Sequence, residues 1–237
     1  MLPVLPALRD LMPGGGLARG SVVTVPEFGL LPLALAAGAS AGGAWCALAG
    51  VPEAGVAAAA DLGLDTARTL LVPDPGGSWA QVVASLLDGC ELVLVRPPPP
   101  EAAWSAAPEA AWSAAPACAP AGTGAQVTRR LGAALRRARG VLLVAGDWPG
   151  AQVCLRVTAR EWTGLGAGHG RLRACRAQVT AEGRGQAARP RTCWLWLPAE
   201  DGTVTAAARG ERGGGEPSRA RGVQGGRPPG QILPVTA

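Results

Sequence analysis

The first residues that could carry chemistry lie in a short loop between two apolar segments. The stretch SVVTVPEFGLLPLALAAGAS, residues 21–40, gives a β-branched run, a four-residue loop and a segment rich in Leu and Ala. This is the strand–loop–helix order of a phosphate-binding loop, G-x-x-x-x-G-K-[ST], whose lysine neutralises the phosphates and whose hydroxyl holds magnesium. When Gly29 is aligned with the second glycine, Leu30 takes the lysine position and Leu31 the hydroxyl position. The stretch therefore predicts the backbone of a nucleotide site without its chemical groups.

The remaining groups of such a site are also replaced. Val25 stands at the first glycine, and Pro26 and Glu27 belong to a loop that is one residue short. The metal-binding acid should follow the apolar run LVLV, but Arg96 stands there, and a guanidinium repels magnesium. All 22 cationic residues are arginines, so a lysine-dependent reaction has no residue to use. We therefore expect no ATP hydrolysis and no nucleotide or metal cofactor.

The elements that must position this loop alternate along the first half of the chain. The predicted strands are apolar runs at 21–25, 44–49, 69–72, 92–95 and 141–145. The predicted helices span 30–40, 53–62, 78–87, with Ser78 as N-cap, and 126–139. Continuous apolar strands are covered on both faces, which indicates a parallel α/β sheet. Glu53 and Asp74 lie near strand ends, where such sheets place active sites, but we expect both to be surface caps.

After Pro149 the pattern changes to an alternation of apolar and polar residues. Three segments show it, 153–162, 171–183 and 191–198, with the glycine-dense GLGAGHG between the first two. Alternation with glycine-rich connections predicts antiparallel strands at the C-terminal edge of the sheet.

Two low-complexity regions interrupt or follow this domain. Residues 97–125 contain a perfect tandem repeat of EAAWSAAP at 101–116, which we interpret as an inserted loop, with Trp104 and Trp112 as a possible docking motif. Residues 199–237 are rich in Gly, Arg, Pro and Glu and are predicted to be a disordered tail. The sequence therefore predicts one domain over residues 1–198.

Charge is divided unevenly along the chain. Residues 1–128 contain 4 Arg against 10 acidic residues, and residues 129–237 contain 18 Arg against 7. A basic C-terminal half favours a polyanion or an acidic protein surface as partner. The candidate DNA- or partner-binding residues are His169, Arg171, Arg173 and Arg176, which follow the glycine-dense connection. Protection of an edge strand by charge is the alternative explanation for the arginines.

Metal binding and membrane insertion are not expected. The six cysteines form no C-x-x-C pair, and the chain has a single histidine, so a zinc site has no ligand set. Residues 28–52 are uncharged and long enough to span a bilayer, but Pro32, Pro52 and five glycines interrupt them. A buried helix–strand unit is the better interpretation.

Several segments resemble the RecA-like core. The entry LRDLMPGGGLARGSVVTV (8–25) contains a leucine-rich turn and a G-G-G-L-x-x-G segment, as that core does before its first strand. PEFG at 26–29 resembles the start of a recombinase phosphate loop, and LGLDTARTLLVPDP (62–75) is similar to the approach to the third strand. The resemblance covers about residues 5–198 and implies a RecA-like fold with a degenerate nucleotide site.

The second half resembles the actinobacterial ImuA or ImuA-prime family. The segments that carry the resemblance are GDWPGA (146–151), WTGLGAGHGRLR (162–173), GRG (183–185) and ARPR with LWLP (188–198). The resemblance implies a non-catalytic member of a translesion synthesis complex in the DNA-damage (SOS) response. It also implies an ImuB-like polymerase adaptor and an error-prone DNA polymerase as partners, and a cytoplasmic, nucleoid-associated location.

Three other functions stay open at this point. A divergent ATPase could use unusual residues, the basic half could bind DNA without a polymerase partner, and a SulA-like inhibitor of cell division is a further alternative. Binding of ATP with magnesium would favour the first, and salt-sensitive binding of single-stranded DNA the second.

Overall fold

A computed structural model of the protein describes residues 1–98, 124–166 and 169–208. The strands are β1 (Leu2–Pro3), β2 (Gly16–Leu17), β3 (Val22–Val25), β4 (Cys46–Ala49), β5 (Thr69–Val72), β6 (Leu92–Val95), β7 (Val141–Ala145), β8 (Val153–Gly166), β9 (His169–Gly183), β10 (Arg191–Trp196) and β11 (Thr205–Ala207). The helices are α1 (Leu30–Ala41), α2 (Val56–Asp61), α3 (Trp79–Gly89) and α4 (Ala125–Ala138). The EAAWSAAP repeats, with Trp104 and Trp112, lie outside the described residues.

Nine of these strands form one sheet in the order β11-β10-β9-β8-β3-β7-β6-β4-β5. Every neighbouring pair from β8 through β3, β7, β6 and β4 to β5 is parallel. The pairs β8–β9, β9–β10 and β10–β11 are antiparallel. The predicted α/β architecture, mostly parallel with an antiparallel C-terminal edge, is confirmed.

The central strands are buried because helices cover both faces of the sheet. All residues of β3, β4, β6 and β7 are buried. One apolar cluster contains α1 and the N-terminal segment, and a second contains residues of α3 and α4. The uncharged stretch 28–52 forms α1 and β4, as predicted. Within the described ranges, no helix has the length and apolarity needed to cross a membrane.

The edge strand β5 departs from the expectation that apolar strands are covered on both faces. Leu70 and Leu71 are 45% and 47% exposed. Both side chains are exposed because β5 is the last strand of the sheet and pairs only with β4 among the described strands. The helix before it is shorter than predicted, Val56–Asp61 instead of 53–62. Ser78 lies at the N-cap of α3, but its side chain makes no capping hydrogen bond.

The antiparallel edge is longer than the alternating pattern predicted. Strands β8 and β9 contain 14 and 15 residues and form one long hairpin. After β10 the chain turns and adds β11, which pairs with β10 from Thr205 to Ala207. Strand β11 therefore lies beyond the predicted boundary at residue 198, and residues 209–237 lie outside the described residues.

The N-terminal segment packs over α1. Strands β1 and β2, which the sequence did not predict because each has two residues, pair with each other. Leu8, Leu11 and Leu17 are fully buried in the same cluster as α1. Gly38 of α1 makes this possible, because a Cβ there would collide with the backbone of Val4 and Leu5. The leucine-rich entry is thus part of the core.

Candidate functional site

The loop between β3 and α1 has the predicted strand–loop–helix backbone. Gly29 is the N-cap of α1, with an extended backbone at φ 168° that any residue can adopt. A Cβ on Gly29 would meet nothing within 4 Å. Leu31 is buried and Leu30 packs against the apolar cluster of the N-terminal segment and α1. The two leucines therefore pack with the core. Neither the backbone conformation at position 29 nor the space around it requires a glycine.

Arg96 organises the carboxyl end of the sheet. It directly follows β6, and its Cζ lies 4.8 Å from the centroid of the Phe28 ring in the β3–α1 loop. The same guanidinium donates from Nη2 to the Glu53 carboxylate, which follows β4. Partial burial lowers the pKa of Arg96. One side chain thus joins the ends of three parallel strands, with the loop on one side and an acid on the other.

The backbone beside Arg96 is closely packed. The Arg96 N–H donates to Ala49 O at 3.0 Å, and the Gly50 N–H donates to Val72 O at 2.9 Å. Gly50 has φ +68°, and a Cβ there would lie 2.5 Å from Arg96 O. Position 50 therefore requires a glycine, both because of the positive φ and because Arg96 O lies so close.

A small pocket lies on the other side of the loop. It has a volume of about 180 Å³, and its lining includes Phe28, Leu30, Trp162 and Cys175. At this pocket Glu27 accepts a hydrogen bond from Nη2 of Arg160 on β8, so the loop carboxylate is already paired. The pocket is mainly apolar and joins the β3–α1 loop to the β8–β9 hairpin.

Comparison with known proteins places this geometry in a fold. The RadB recombinase crystal structure superposes with a TM-score of 0.56 at 16% identity, covering 86% of this chain and 97% of that chain. The fold is RecA-like. A family model described as the MT3502 N-terminal domain matches residues 10–112. That match includes the β3–α1 loop and Arg96.

A mycobacterial protein is similar to part of this chain. Protein Rv3395c of Mycobacterium tuberculosis (strain ATCC 25618 / H37Rv) is 36% identical over 88 residues. The aligned part is 36% of this chain and 43% of that protein, so the match spans less than half of the relative.

The RecA-like sheet places the two carboxylates near strand ends in different roles. Asp74 accepts a hydrogen bond from the Gly76 N–H at 2.9 Å, as a turn-capping residue does, which agrees with the expected cap. Glu53 differs from the expectation, because its carboxylate binds Arg96. Phe28 and Arg160 were missed by the sequence argument. Phe28 is the one phenylalanine of the chain, a signal that could have drawn attention to it.

The predicted partner-binding residues divide into two groups. His169, Arg171 and Arg173 are exposed at the start of β9. Arg176 is 5% exposed, and its side chain binds Glu161 at 3.0 Å and Ala208 O at 2.9 Å and stacks on Trp194 at 4.1 Å. The assignment of Arg176 to a DNA- or partner-binding surface is therefore wrong, because its guanidinium is used inside the protein.

Metal ligation has no ligand set in the described part of the chain. No group of three or more His, Cys, Asp or Glu side chains there could hold an ion. Cys46 and Cys90 are buried, and burial raises the pKa of both thiols. Neither thiol is activated as a nucleophile.

Proposed function

We propose that this chain is a RecA-like protein that acts by binding other macromolecules and does not hydrolyse ATP. The observation that carries the proposal is the position of Arg96, stacked on Phe28 and ion-paired with Glu53. In an active nucleotide site the corresponding region holds a triphosphate and its magnesium ion. In this chain the Arg96 side chain contacts the β3–α1 loop in that region instead.

The charges at the strand ends argue against binding of a magnesium nucleotide. The Arg96 guanidinium could attract a phosphate, but Glu53 already compensates its charge. Glu27 could attract a metal, but Arg160 compensates that carboxylate. Leu30 and Leu31 supply no lysine or hydroxyl at the start of α1. A bound magnesium nucleotide would have to break both ion pairs before its phosphates could use Arg96 or its metal could use Glu27.

The cellular role that we propose is in damage-induced mutagenesis. Support comes from the RecA-like fold together with the segments at 146–151, 162–173 and 183–198 that resemble the ImuA family. In this role the protein joins an ImuB-like polymerase adaptor and an error-prone polymerase during translesion synthesis, at the nucleoid in the cytoplasm.

Calorimetric titration with ATP and magnesium tests the absence of nucleotide chemistry. We expect no saturable heat at micromolar ATP for the wild-type chain. An active recombinase measured in the same buffer is the positive control. Saturable micromolar binding that Arg96→Ala or Leu30→Ala weakens would favour the divergent ATPase and overturn this part of the proposal.

Co-expression with the ImuB-like protein of the same genome tests the assembly. We expect the two proteins to elute together in size-exclusion chromatography at physiological salt. Separate elution, together with normal damage-induced mutation rates in a deletion strain, would contradict the role in mutagenesis.

A further inference from the structure

Three large apolar side chains are exposed near the end of the β8–β9 hairpin. Trp162, Leu165 and Leu172 are 50%, 55% and 47% exposed. Trp162 pairs with Cys175 and Leu165 with Gly170 across the hairpin, so the three lie within its last few residues. Because successive side chains of a strand point to opposite faces, Leu172 faces away from Arg171 and Arg173, and the exposed groups occupy both faces of the hairpin end. Apolar side chains that are exposed as a group mark interaction surfaces more often than isolated ones do.

The same end of the hairpin has uncompensated positive charge. Strands β8 and β9 contain five arginines and two glutamates. Arg156 pairs with Glu182, Arg176 with Glu161, and Arg160 with Glu27 of the loop. Within the described ranges Arg171 and Arg173 are exposed and make no ion pair, so the hairpin end offers two cations to a partner.

The pocket beside the loop adjoins this surface through Trp162. Trp162 lines the pocket and is half exposed, so it belongs to both features. The volume of about 180 Å³ is below the roughly 300–1,000 Å³ that is typical of sites for small molecules and cofactors. A pocket of this size suits a single apolar side chain.

We propose that the two faces of the hairpin end, formed by Trp162, Leu165, Leu172, Arg171 and Arg173 and here called the hairpin patch, dock an acidic segment of a partner protein that wraps around the end of the hairpin. Large apolar side chains of that segment cover the exposed leucines and Trp162, and one enters the pocket. Its carboxylates pair with Arg171 and Arg173. This inference rests on the proposed function as a binding component and names the surface and the chemistry of the partner segment.

The composition of the hairpin patch favours protein over nucleic acid. Sites for single-stranded nucleic acid combine a basic groove with aromatic faces on which bases stack. Two of the three apolar side chains here are leucines, which offer no such face. Arg160 is already paired with Glu27, which leaves Arg171 and Arg173 as the exposed arginines for phosphates among the described residues of the hairpin end. An acidic and apolar protein segment matches both parts of the patch.

Binding of the ImuB-like adaptor to the full chain, measured by biolayer interferometry, tests the inference. One double variant combines Trp162→Ser with Leu172→Ser, and a second combines Arg171→Glu with Arg173→Glu. The matched control combines Leu70→Ser with Leu71→Ser on β5, where exposure is similar, 45% and 47%. Each hairpin variant should bind at least about tenfold more weakly, as hot-spot losses do, and the charge variant should also associate more slowly. Thermal unfolding of each variant checks that it folds.

A second probe separates this inference from the proposed function. The probe is a synthetic acidic peptide that contains Leu and Trp. Its binding is observed by fluorine NMR on fluorotryptophan-labelled protein, and Trp162→Phe assigns the Trp162 signal.

Adaptor binding that survives both hairpin variants overturns the hairpin patch and leaves the proposed function standing. If the adaptor does not bind the wild-type protein, the proposed function fails, and the peptide experiment alone then tests the hairpin patch. A peptide-dependent shift of the Trp162 signal that Arg171→Glu with Arg173→Glu abolishes supports the patch, and no shift overturns it. Single-stranded DNA that binds tightly through the patch also overturns it.

Discussion

Arg96 joins the loop and the strand ends through two contacts that are individually modest. Its pair with Glu53 is partly exposed, with side-chain exposures of 34% and 49%, and such pairs contribute about 0–1 kcal/mol. Stacking on the Phe28 ring adds about 0.5–1 kcal/mol. The arginine therefore acts mainly by holding the loop in one position, which is a local effect.

Unfolding in urea should separate these two contacts. We expect Arg96→Ala to lower the free energy of unfolding by about 1–2 kcal/mol, because it removes both contacts. Glu53→Ala should cost about 0.5 kcal/mol, since it removes the ion pair alone. Arg137→Ala, which removes a 3.2 Å surface pair with Asp88, is the control and should change stability by less than about 0.5 kcal/mol. Equal losses for Arg96→Ala and Glu53→Ala would show that the Phe28 contact contributes nothing.

The contacts of Arg176 extend over a larger part of the fold than those of Arg96, because they connect all four strands of the antiparallel edge. Arg176 itself lies on β9, Glu161 lies on β8, Trp194 lies on β10, and Ala208 follows β11. Its Nε finds no acceptor among the described residues, so the site is not fully satisfied. Even so, a planar guanidinium is the side chain that can stack and donate in two directions at once. This contact fixes the residue that follows the short strand β11, which itself pairs with β10.

Hydrogen exchange should reveal the role of Arg176 at this edge. We expect Arg176→Leu to lower the free energy of unfolding by about 2 kcal/mol, because it removes the hydrogen bonds of a buried arginine while keeping apolar bulk. Amides of residues 205–207 should then exchange faster than those of β6. Arg176→Lys should not restore protection, since an ammonium group cannot stack and donate in the same way. The exposed Arg189→Ala is the control. Unchanged exchange in β11 would refute this role.

At the scale of the whole molecule, we expect one buried and one partly buried thiol to make the fold sensitive to alkali. Burial raises the pKa of Cys46 from 9.0 to about 12 and that of Cys193 to about 11. Both thiols lose their protons near pH 9 in the unfolded chain and retain them in the folded chain. Between pH 9 and the folded values the unfolded state therefore binds fewer protons, and stability falls as pH rises.

Urea midpoints measured from pH 8 to pH 10.5 should show this loss. Each buried thiol should remove up to about 1.4 kcal/mol per pH unit once the pH exceeds the unfolded pKa. Cys46→Ala should make the decline shallower, although it lowers stability at pH 8. Leu48→Val on the same strand is the control, because it loses core packing without a titrating group and should keep the wild-type slope. A Cys46→Ala slope equal to that of the wild type would count against the mechanism.

Much of the sheet follows from sequence, whereas the site contacts do not. The runs TLLV and LVLV match the bounds of β5 and β6, because continuous apolar residues between turn signals define short strands, although only β6 is buried. The position of the β3–α1 loop also follows from its pattern. The contact of Arg96 with Glu53 spans 43 positions and depends on strand order, which no local pattern contains. Arg176 was placed at the surface for the same reason, since its burial depends on strands that come later in the chain.

The contrast between Gly29 and Gly38 has an evolutionary consequence. Gly29 lies in the β3–α1 loop, yet its backbone is extended and its surroundings are open. Gly38 lies in a helix with no chemistry, yet any side chain there would displace Val4 and Leu5. Selection should therefore let the first glycine drift while it preserves the second. Among relatives of this chain, the residue at position 29 should vary while glycine persists at position 38.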